Sequence, residues 1–372
     1  MQCLAISLAG FRNIEQASVR FAPGVNVLYG QNAQGKTNLL EAIYFAAIGK
    51  SFRSVHTGES VAFDRESAVI SLDFQAQSRV QNITMQLFTA KAKTVEKNHV
   101  RIHKMSELVG AFRAVLFCPE QLSLIKGGPA ERRQFLDIAI SAIEPAYLSA
   151  LQRYAHILKQ RNALIRSAGE DATTFRETVD MWSRQLAHEG AYIARSRKRY
   201  TEKAQPHVTH CFEEMTGQRE IPTLVYHGCS KQKDTSYEDL RQTEELLYRA
   251  LCDNHLRELG AGTTLYGIHK DDLGVMLNER DARVYASQGQ QRSLALALKL
   301  AEGEICCEDC GEYPVFLFDD VLSELDARRR EYLLHKIQGK QVILTTCERI
   351  TEQTDHLIYV QNGCFTEQSA PV

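Results

Sequence analysis

Apolar and polar positions alternate across Ala68–Phe74 and Asn82–Phe88, the two-residue rhythm of half-buried strands. Val25-Asn26-Val27-Leu28-Tyr29 is instead a compact, mostly apolar run ending at a glycine, which predicts a buried strand. Ala5, Ser7 and Phe11 predict an earlier strand near a sheet edge. From Lys36 to about Ile48, Leu39, Leu40, Ile43, Tyr44 and Ala47 fall on one face of a helix. The character changes after Pro119. Tyr147, Leu151, Tyr154, Leu158 and Ile165, then Phe175, Val179, Trp182, Leu186, Ile193 and Tyr200, follow a three-four spacing. This predicts two amphipathic helices joined by the turn Ser167-Ala168-Gly169-Glu170-Asp171 into an antiparallel hairpin. From about Thr263 the strand pattern returns, with Val315–Phe318 and Val342–Leu344 as buried parallel strands. The pattern predicts an α/β head built from residues 1–118 and 259–372, with a mostly helical arm at 119–258 between them.

Composition narrows the function class. A chain of 372 residues buries a sizeable core without disulfides. Its 44 Lys plus Arg nearly balance 46 Asp plus Glu, for a net charge of -2, which excludes a polybasic protein. Any contact with nucleic acid then comes from a local basic patch. No run of about 18 apolar residues predicts a membrane span. The opening MQCLAISLAGFRNIEQ lacks the basic leader of a signal peptide. Ten scattered cysteines without an export signal fit reduced thiols in a cytoplasmic protein.

Gly30-Gln31-Asn32-Ala33-Gln34-Gly35-Lys36-Thr37 is a complete GxxxxGK[ST] between a predicted strand and a predicted helix, the context this motif requires. Its glycines let backbone wrap a phosphate, and the helix N-terminus supplies N–H groups for the anion. Lys36 is expected to reach the β- and γ-phosphates of ATP, and Thr37 to ligate Mg. Val315-Phe316-Leu317-Phe318-Asp319-Asp320 is an apolar strand ending in two carboxylates. Asp319 is expected to hold Mg, directly or through water. Asp320 is placed to orient or deprotonate the attacking water, which makes it and Lys36 the catalytic candidates.

Ser287-Gln288-Gly289-Gln290-Gln291-Arg292 precedes an apolar helix, Leu294 to Ala301, and Ser323-Glu324-Leu325-Asp326 follows the carboxylates directly. A polar, glycine-containing turn at a helix N-terminus is an anion site; an ordinary helix cap is the bland reading of the same residues. In this order the elements resemble Walker A, signature, Walker B and D-loop of the ABC ATPases. That resemblance implies an ABC-type P-loop ATPase head, a mixed sheet flanked by helices, with an inserted helical arm. It also implies a homodimer in which Ser287, Gly289 and Gln290 of one subunit close on the nucleotide of the other.

More narrowly, Leu8-Ala9-Gly10-Phe11-Arg12-Asn13, GQNAQGKTNLLEAI and Gly49-Lys50-Ser51-Phe52-Arg53 are similar to the RecF family of recombination-repair ATPases. So are Phe117-Cys118-Pro119-Glu120-Gln121-Leu122, Gly128-Pro129 with Arg132-Arg133-Gln134-Phe135-Leu136-Asp137, Gly267-Ile268-His269-Lys270-Asp271-Asp272-Leu273 and the closing DDVLSELD. The resemblance adds Asn38 and Arg12 to the nucleotide-binding set. It implies duplex DNA near single-strand gaps as ligand, RecO and RecR as partners, and help in loading RecA during DNA repair and replication. Lys36 and Ser287 stand 251 residues apart, which leaves no room for the long coiled coil of SMC proteins.

Some positions depart from the family pattern. Gln121 stands where PEDL is usual, and Lys270 where an arginine is usual. Leu344-Thr345-Thr346-Cys347 lacks the histidine of an ABC transporter. Asp320 replaces the transporters' glutamate, and its shorter reach implies slow, regulatory hydrolysis. Two rivals follow: a transporter ATPase subunit, disfavoured by that missing histidine, and an ABC-headed nuclease, for which no acidic module remains. Cys306-Cys307-Glu308-Asp309-Cys310 is expected to be a connector loop with incidental thiols. His269 is expected near the nucleotide or in a structural hydrogen bond. Lys126, Arg132, Arg133, Arg195, Arg197, Lys198, Arg199 and Lys203 are the basic residues considered for DNA, with a solvated helix face as the bland alternative.

Overall fold

The computed structural model describes residues 1–168, 172–217, 220–228, 237–349 and 354–368. It divides into two compact units, Met1–Gln121 with Leu298–Val372, and Leu122–Ala297.

The first unit contains two sheets and the helix between them. Its strands are β1 (Gln2–Phe11), β2 (Ile14–Arg20), β3 (Val25–Tyr29), β4 (Ser67–Ala76), β5 (Arg79–Phe88), β6 (Thr94–Lys97), β7 (Val100–Arg101) and β8 (Ala114–Phe117). One sheet is antiparallel in the order β2-β1-β4-β5-β6-β7. β1 is therefore an interior strand, paired on both sides, and not the edge its mixed composition suggests. Its polar positions face solvent on one side of the sheet while Cys3, Ile6, Leu8 and Phe11 are buried. Helix α1 (Lys36–Ile48) packs against both sheets and is buried nearly all round, from Leu39 to Ala47. A helix held between two sheets has no solvent face, which is why its apolar residues exceed the single stripe expected. Truncating Leu40 or Ile43 to alanine there costs about 2–5 kcal/mol.

The arm unit follows in the chain. Its elements are α2 (Ser123–Lys126), α3 (Pro129–Ile143), α4 (Pro145–Ser167), α5 (Ala172–Thr216), β9 (Pro222–His227), α6 (Leu240–Cys252), α7 (His255–Ala261), β10 (Asp272–Leu277), β11 (Arg280–Asp281) and α8 (Ala282–Tyr285). Contacts Glu144–Ser196, Arg153–Glu189 and Arg161–Ser183 run in opposite senses along α4 and α5, so the two form the expected antiparallel hairpin. Gly169–Asp171 of the proposed turn lie outside the described residues. The unit ends at Ala297, later than the expected 258, and β10, up to Leu277, pairs along its whole length with β9. A six-residue ladder ties these residues to the arm, whatever their strand-like composition.

Helix α9 (Gln288–Cys310) begins in the arm unit and ends in the first. Cys306, Cys307 and Cys310 lie on its last turns, not in a loop. No group of three metal-ligating side chains occurs among the described residues. The chain then completes the second sheet with β12 (Val315–Asp319), β13 (Val342–Thr346), β14 (His356–Gln361) and β15 (Cys364–Gln368), α10 (Ala327–Lys336) intervening. Its order is β15-β14-β3-β13-β12-β8, parallel from β14 to β8. The runs that read as continuous apolar strands, β3, β12 and β13, are central to it, as burial on both faces requires. Among the described residues no helix is long and apolar enough to cross a membrane.

Candidate nucleotide-binding site

The loop from Gly30 to Thr37 joins β3 to α1, so its amides lie at the N-terminus of a buried helix. Gly30 has φ 151°, and a Cβ there would stand 2.3 Å from the Val360 carbonyl oxygen; Gly35, at φ 113°, caps α1. Side chains at these positions would strain or block the loop. Lys36 is buried, and its Nζ donates to the carbonyls of Gly30 at 2.6 Å and Gln31 at 2.7 Å. It has no acidic partner among the described residues. Thr37 Oγ1 donates to Asp319 Oδ1 at 2.8 Å, and Thr345 Oγ1 donates to the same oxygen at 2.7 Å. Thus the ends of β12 and β13 and the start of α1 meet at one carboxylate. Burial pushes the Asp319 carboxyl up from its ordinary value, and the Thr345 and Thr37 hydrogen bonds oppose that rise.

A cleft of about 500 Å³ opens here. The loop lines it with Asn32, Ala33, Gly35, Lys36, Thr37 and Asn38. Asp319 and Asp320 lie across from them, with Asp320 held at φ 50° and its N–H donating to Thr345 Oγ1 at 3.0 Å. Positive φ in a non-glycine residue is costly, and such strain concentrates at functional positions. The cleft therefore combines a lysine and helix amides with adjacent carboxylates and a hydroxyl. This donor set fits a polyphosphate carrying a divalent cation, in which Lys36 and the loop amides meet the phosphates and Thr37 and Asp319 meet the metal.

Not every expected residue reaches the cleft. Gly30 and Gln31 contribute their carbonyls to Lys36, while the Gln34 side chain accepts from the Asn362 N–H at 2.7 Å. Arg12 is outside the lining: its guanidinium forks onto Glu41 at 2.6 and 3.1 Å and donates to the Glu59 carbonyl at 2.7 Å. Glu41 is completely buried, and a buried carboxylate demands such a partner. The neighbouring Asn13 lines the cleft instead. Arg53, Pro119, Glu120 and Thr345 also line it and were not among the predicted site residues. Arg53 and the Pro119-Glu120 pair belong to the quoted sequence blocks, a signal that was available; Thr345 is visible only once β13 is placed beside β12.

Ser287 and Gln290 form a capping box on α9: Ser287 Oγ accepts from the Gln290 N–H at 3.3 Å, and Gln290 Oε1 accepts from the Ser287 N–H at 2.5 Å. Gln290 Nε2 also donates to Glu220, and Ser287 remains exposed. In the single chain these residues thus serve as a helix cap. His269 shares a hydrogen bond with Tyr154 at 2.8 Å and another with the Thr264 carbonyl at 3.1 Å, the structural role. Burial lowers its pKa to about 4. Most basic residues considered for DNA are already engaged. Arg132 is bidentate to Asp272, Arg133 donates to the Asp271 carbonyl, and Arg197 is buried against Asp137 and Asp271. Lys198 pairs with Glu202 and Arg199 with Glu238, while Arg195 lies over the Tyr192 ring. Lys126 is exposed.

The family model described as RecF/RecN/SMC N terminal domain matches residues 4–366. The chain is 38% identical to the DNA replication and repair protein RecF of Bacillus subtilis (strain 168) over 366 residues, 98% of this chain and 97% of that one. It is 38% identical to the same-named protein of Staphylococcus carnosus (strain TM300) over 359 residues, 96% of each. A solved structure of the recombination mediator protein RecF with ATP, in the RecFOR pathway, matches at a TM-score of 0.93 and 33% identity, covering 99% of this chain and 97% of that one. The Smc head domain from Pyrococcus furiosus, at 15% identity and a TM-score of 0.57, covers 98% of this chain and 95% of that one, and shares the fold alone. Motifs, cleft and whole-length similarity agree: the chain belongs to the RecF family of DNA replication and repair proteins, within the RecF/RecN/SMC group of ATPases.

Proposed function

We propose that this chain is an ATP-switched DNA-binding protein of recombinational repair, acting as a slow, DNA-regulated ATPase in the cytoplasm. The observation that carries the proposal is the convergence of Lys36, Thr37 and Asp319 at the N-terminus of α1, with Thr37 and Asp319 bonded at 2.8 Å. Lys36 binds and orients the phosphates, and Thr37 and Asp319 hold Mg. When bound, Mg supplies charge neutralisation on the phosphate oxygens. Asp320 orients the attacking water. Its carboxylate sits one methylene closer to the backbone than a glutamate's, and turnover is correspondingly slow.

Ser287, Gly289 and Gln290 of a second copy close on the same nucleotide, so two chains form an ATP-bound clamp on duplex DNA beside single-strand gaps. ATP then has a higher affinity for the dimer than for the monomer, the thermodynamic requirement for a switch. Loss of the γ-phosphate contact reopens the clamp. RecO and RecR are the proposed partners, and RecA loading the proposed outcome. The transporter reading gains no support at Cys347, which stands just after β13 where a transporter ATPase would carry a histidine.

The test is fluorescence anisotropy of labelled duplex and gapped DNA with ATP, with ADP and without nucleotide, for the native chain and Ser287→Arg. Binding that needs ATP and disappears in Ser287→Arg, with ATP binding to the monomer retained, is expected. DNA binding indifferent to nucleotide and substitution would refute the switch.

A further inference from the structure

Most of the arm's basic residues considered for DNA are engaged in ion pairs, hydrogen bonds or, for Arg195, a ring contact, while a second group of cations lies outside the arm. In the first unit, residues 91–104 at the edge of the antiparallel sheet carry Lys91, Lys93, Lys97, Arg101 and Lys104, together with His99 and His103, against a single acid, Glu96. Glu96 is the register partner of Arg101 across β6 and β7, so the one negative charge faces a positive one. None of these five cations has a carboxylate within ion-pair distance among the described residues. Lys91, His99, Arg101, His103 and Lys104 are exposed. Asn98 and His99 turn the β6–β7 hairpin in left-handed backbone, and Asn98 Oδ1 accepts from the Asn82 N–H at 2.9 Å, which pins the tip to β5. At the other end, Lys91 Nζ lies 3.9 Å from the centre of the Phe88 ring.

We infer that this edge is a phosphate-binding site for duplex DNA. The inference rests on the DNA-binding reading above and gives it a location. Lys97 and Arg101 sit on the paired hairpin, on its two faces, and Lys91, Lys93 and Lys104 in the short segments that flank it, so the cations of the hairpin itself lose little freedom on contact. From Val100 to Lys104 the chain spans at most about 13 Å, the axial length of about four base pairs. Both β6–β7 and the strand ends are short, so the contact is with backbone phosphates and carries no base readout. Lysines at a free sheet edge also discourage strand pairing between molecules, and that role makes a different prediction.

The experiment compares the native chain with Lys91→Ala/Lys97→Ala/Lys104→Ala and with the three lysines changed to arginine, measuring ATP binding, solubility and DNA anisotropy from 50 to 300 mM salt. Loss of three phosphate contacts lowers the slope of log affinity against log salt by up to about 2.7 and weakens DNA binding at least about tenfold at the low-salt end. ATP binding stays native, and the arginine variant binds DNA as the native chain does. An alanine variant that keeps native DNA affinity and salt slope overturns the inference and leaves the ATP-switched reading standing. If that variant also aggregates, the lysines guard the edge instead. Native chain that binds no DNA with any nucleotide refutes the underlying reading itself.

Discussion

Arg161 offers the sharpest energetic test of the arm. It is fully buried on α4 and donates to Ser183 Oγ on α5 at 3.1 Å, to Thr264 Oγ1 at 2.7 Å and to Glu258 Oε2 on α7 at 2.7 Å. Consider Arg161→Met, which keeps an unbranched apolar stem and removes the guanidinium and its charge. Ser183 still donates to the Val179 carbonyl, and Thr264 still donates to Asn162. The damage falls on Glu258, 1% exposed, which among the described residues keeps the Leu265 N–H at 2.9 Å as its hydrogen-bond donor. An uncompensated buried charge of this kind costs about 3–5 kcal/mol. The chain has one tryptophan, Trp182, adjacent to Ser183, so its fluorescence during urea unfolding reads this region directly. With a slope of about 2 kcal/mol per molar urea, the midpoint drops by about 1.5–2.5 M. Adding Glu258→Gln removes the stranded charge and recovers part of the loss, leaving a coupling of the two sites in a double-mutant cycle. A single-variant cost below about 1 kcal/mol, or no recovery in the double, refutes the claim that the ion pair holds the buried charge in place.

Three further outcomes follow from the geometry. Gly30→Ala forces a Cβ toward the Val360 carbonyl at positive φ, so nucleotide binding, read with a fluorescent ATP analogue, is lost and thermal stability falls by about 1–3 kcal/mol. Burial pushes the Asp271 carboxyl up to about 6 from 3.8, against the opposing pull of Arg197 and the Tyr226 hydrogen bond. The folded chain then holds this proton to higher pH than the unfolded chain, so the contribution is present below about pH 4 and about 3 kcal/mol is lost as pH rises through 6. Asp271→Asn flattens that slope in Trp182-monitored unfolding between pH 4 and 7, and an unchanged slope contradicts the assignment. The hydrogen bond from Cys306 lowers the Cys310 thiol to about 7, with Arg113 adding to the effect. Iodoacetamide at neutral pH therefore labels Cys310 ahead of the buried Cys306 in peptide mass spectrometry; equal rates refute it.

Local signals explain what was legible in the sequence. The Gly30–Thr37 loop, α1 and the strands β3, β12 and β13 follow from spacing and apolar runs, because each depends only on residues near it. The arm hairpin was readable for the same reason. What escaped depends on partners distant in sequence. β1 reads as an edge until β4 is known to cover it, and residues 259–297 read as head until β9 is found beside β10. Arg12 sits in a motif that suggests nucleotide, yet its charge answers the buried Glu41, 29 positions away. The basic clusters of the arm looked available because Asp137, Asp272 and Glu238, which neutralise them, are remote in the chain.

The interleaved second sheet has a consequence for biosynthesis. β3, which leads into the nucleotide loop, lies between β13 and β14, both made more than 300 residues later. The arm is continuous in the chain from Leu122 to Ala297 and can form as soon as it has emerged. The head cannot: β3 and the apolar surface of α1 wait for the last fifth of the chain. At about 5–20 residues per second, the wait between Gln121 and the end of β14 is roughly 10–50 s. Throughout that interval the ribosome displays an unfinished parallel sheet, so the burden on chaperones falls on the catalytic half of the molecule, and slowing translation of the arm lengthens it.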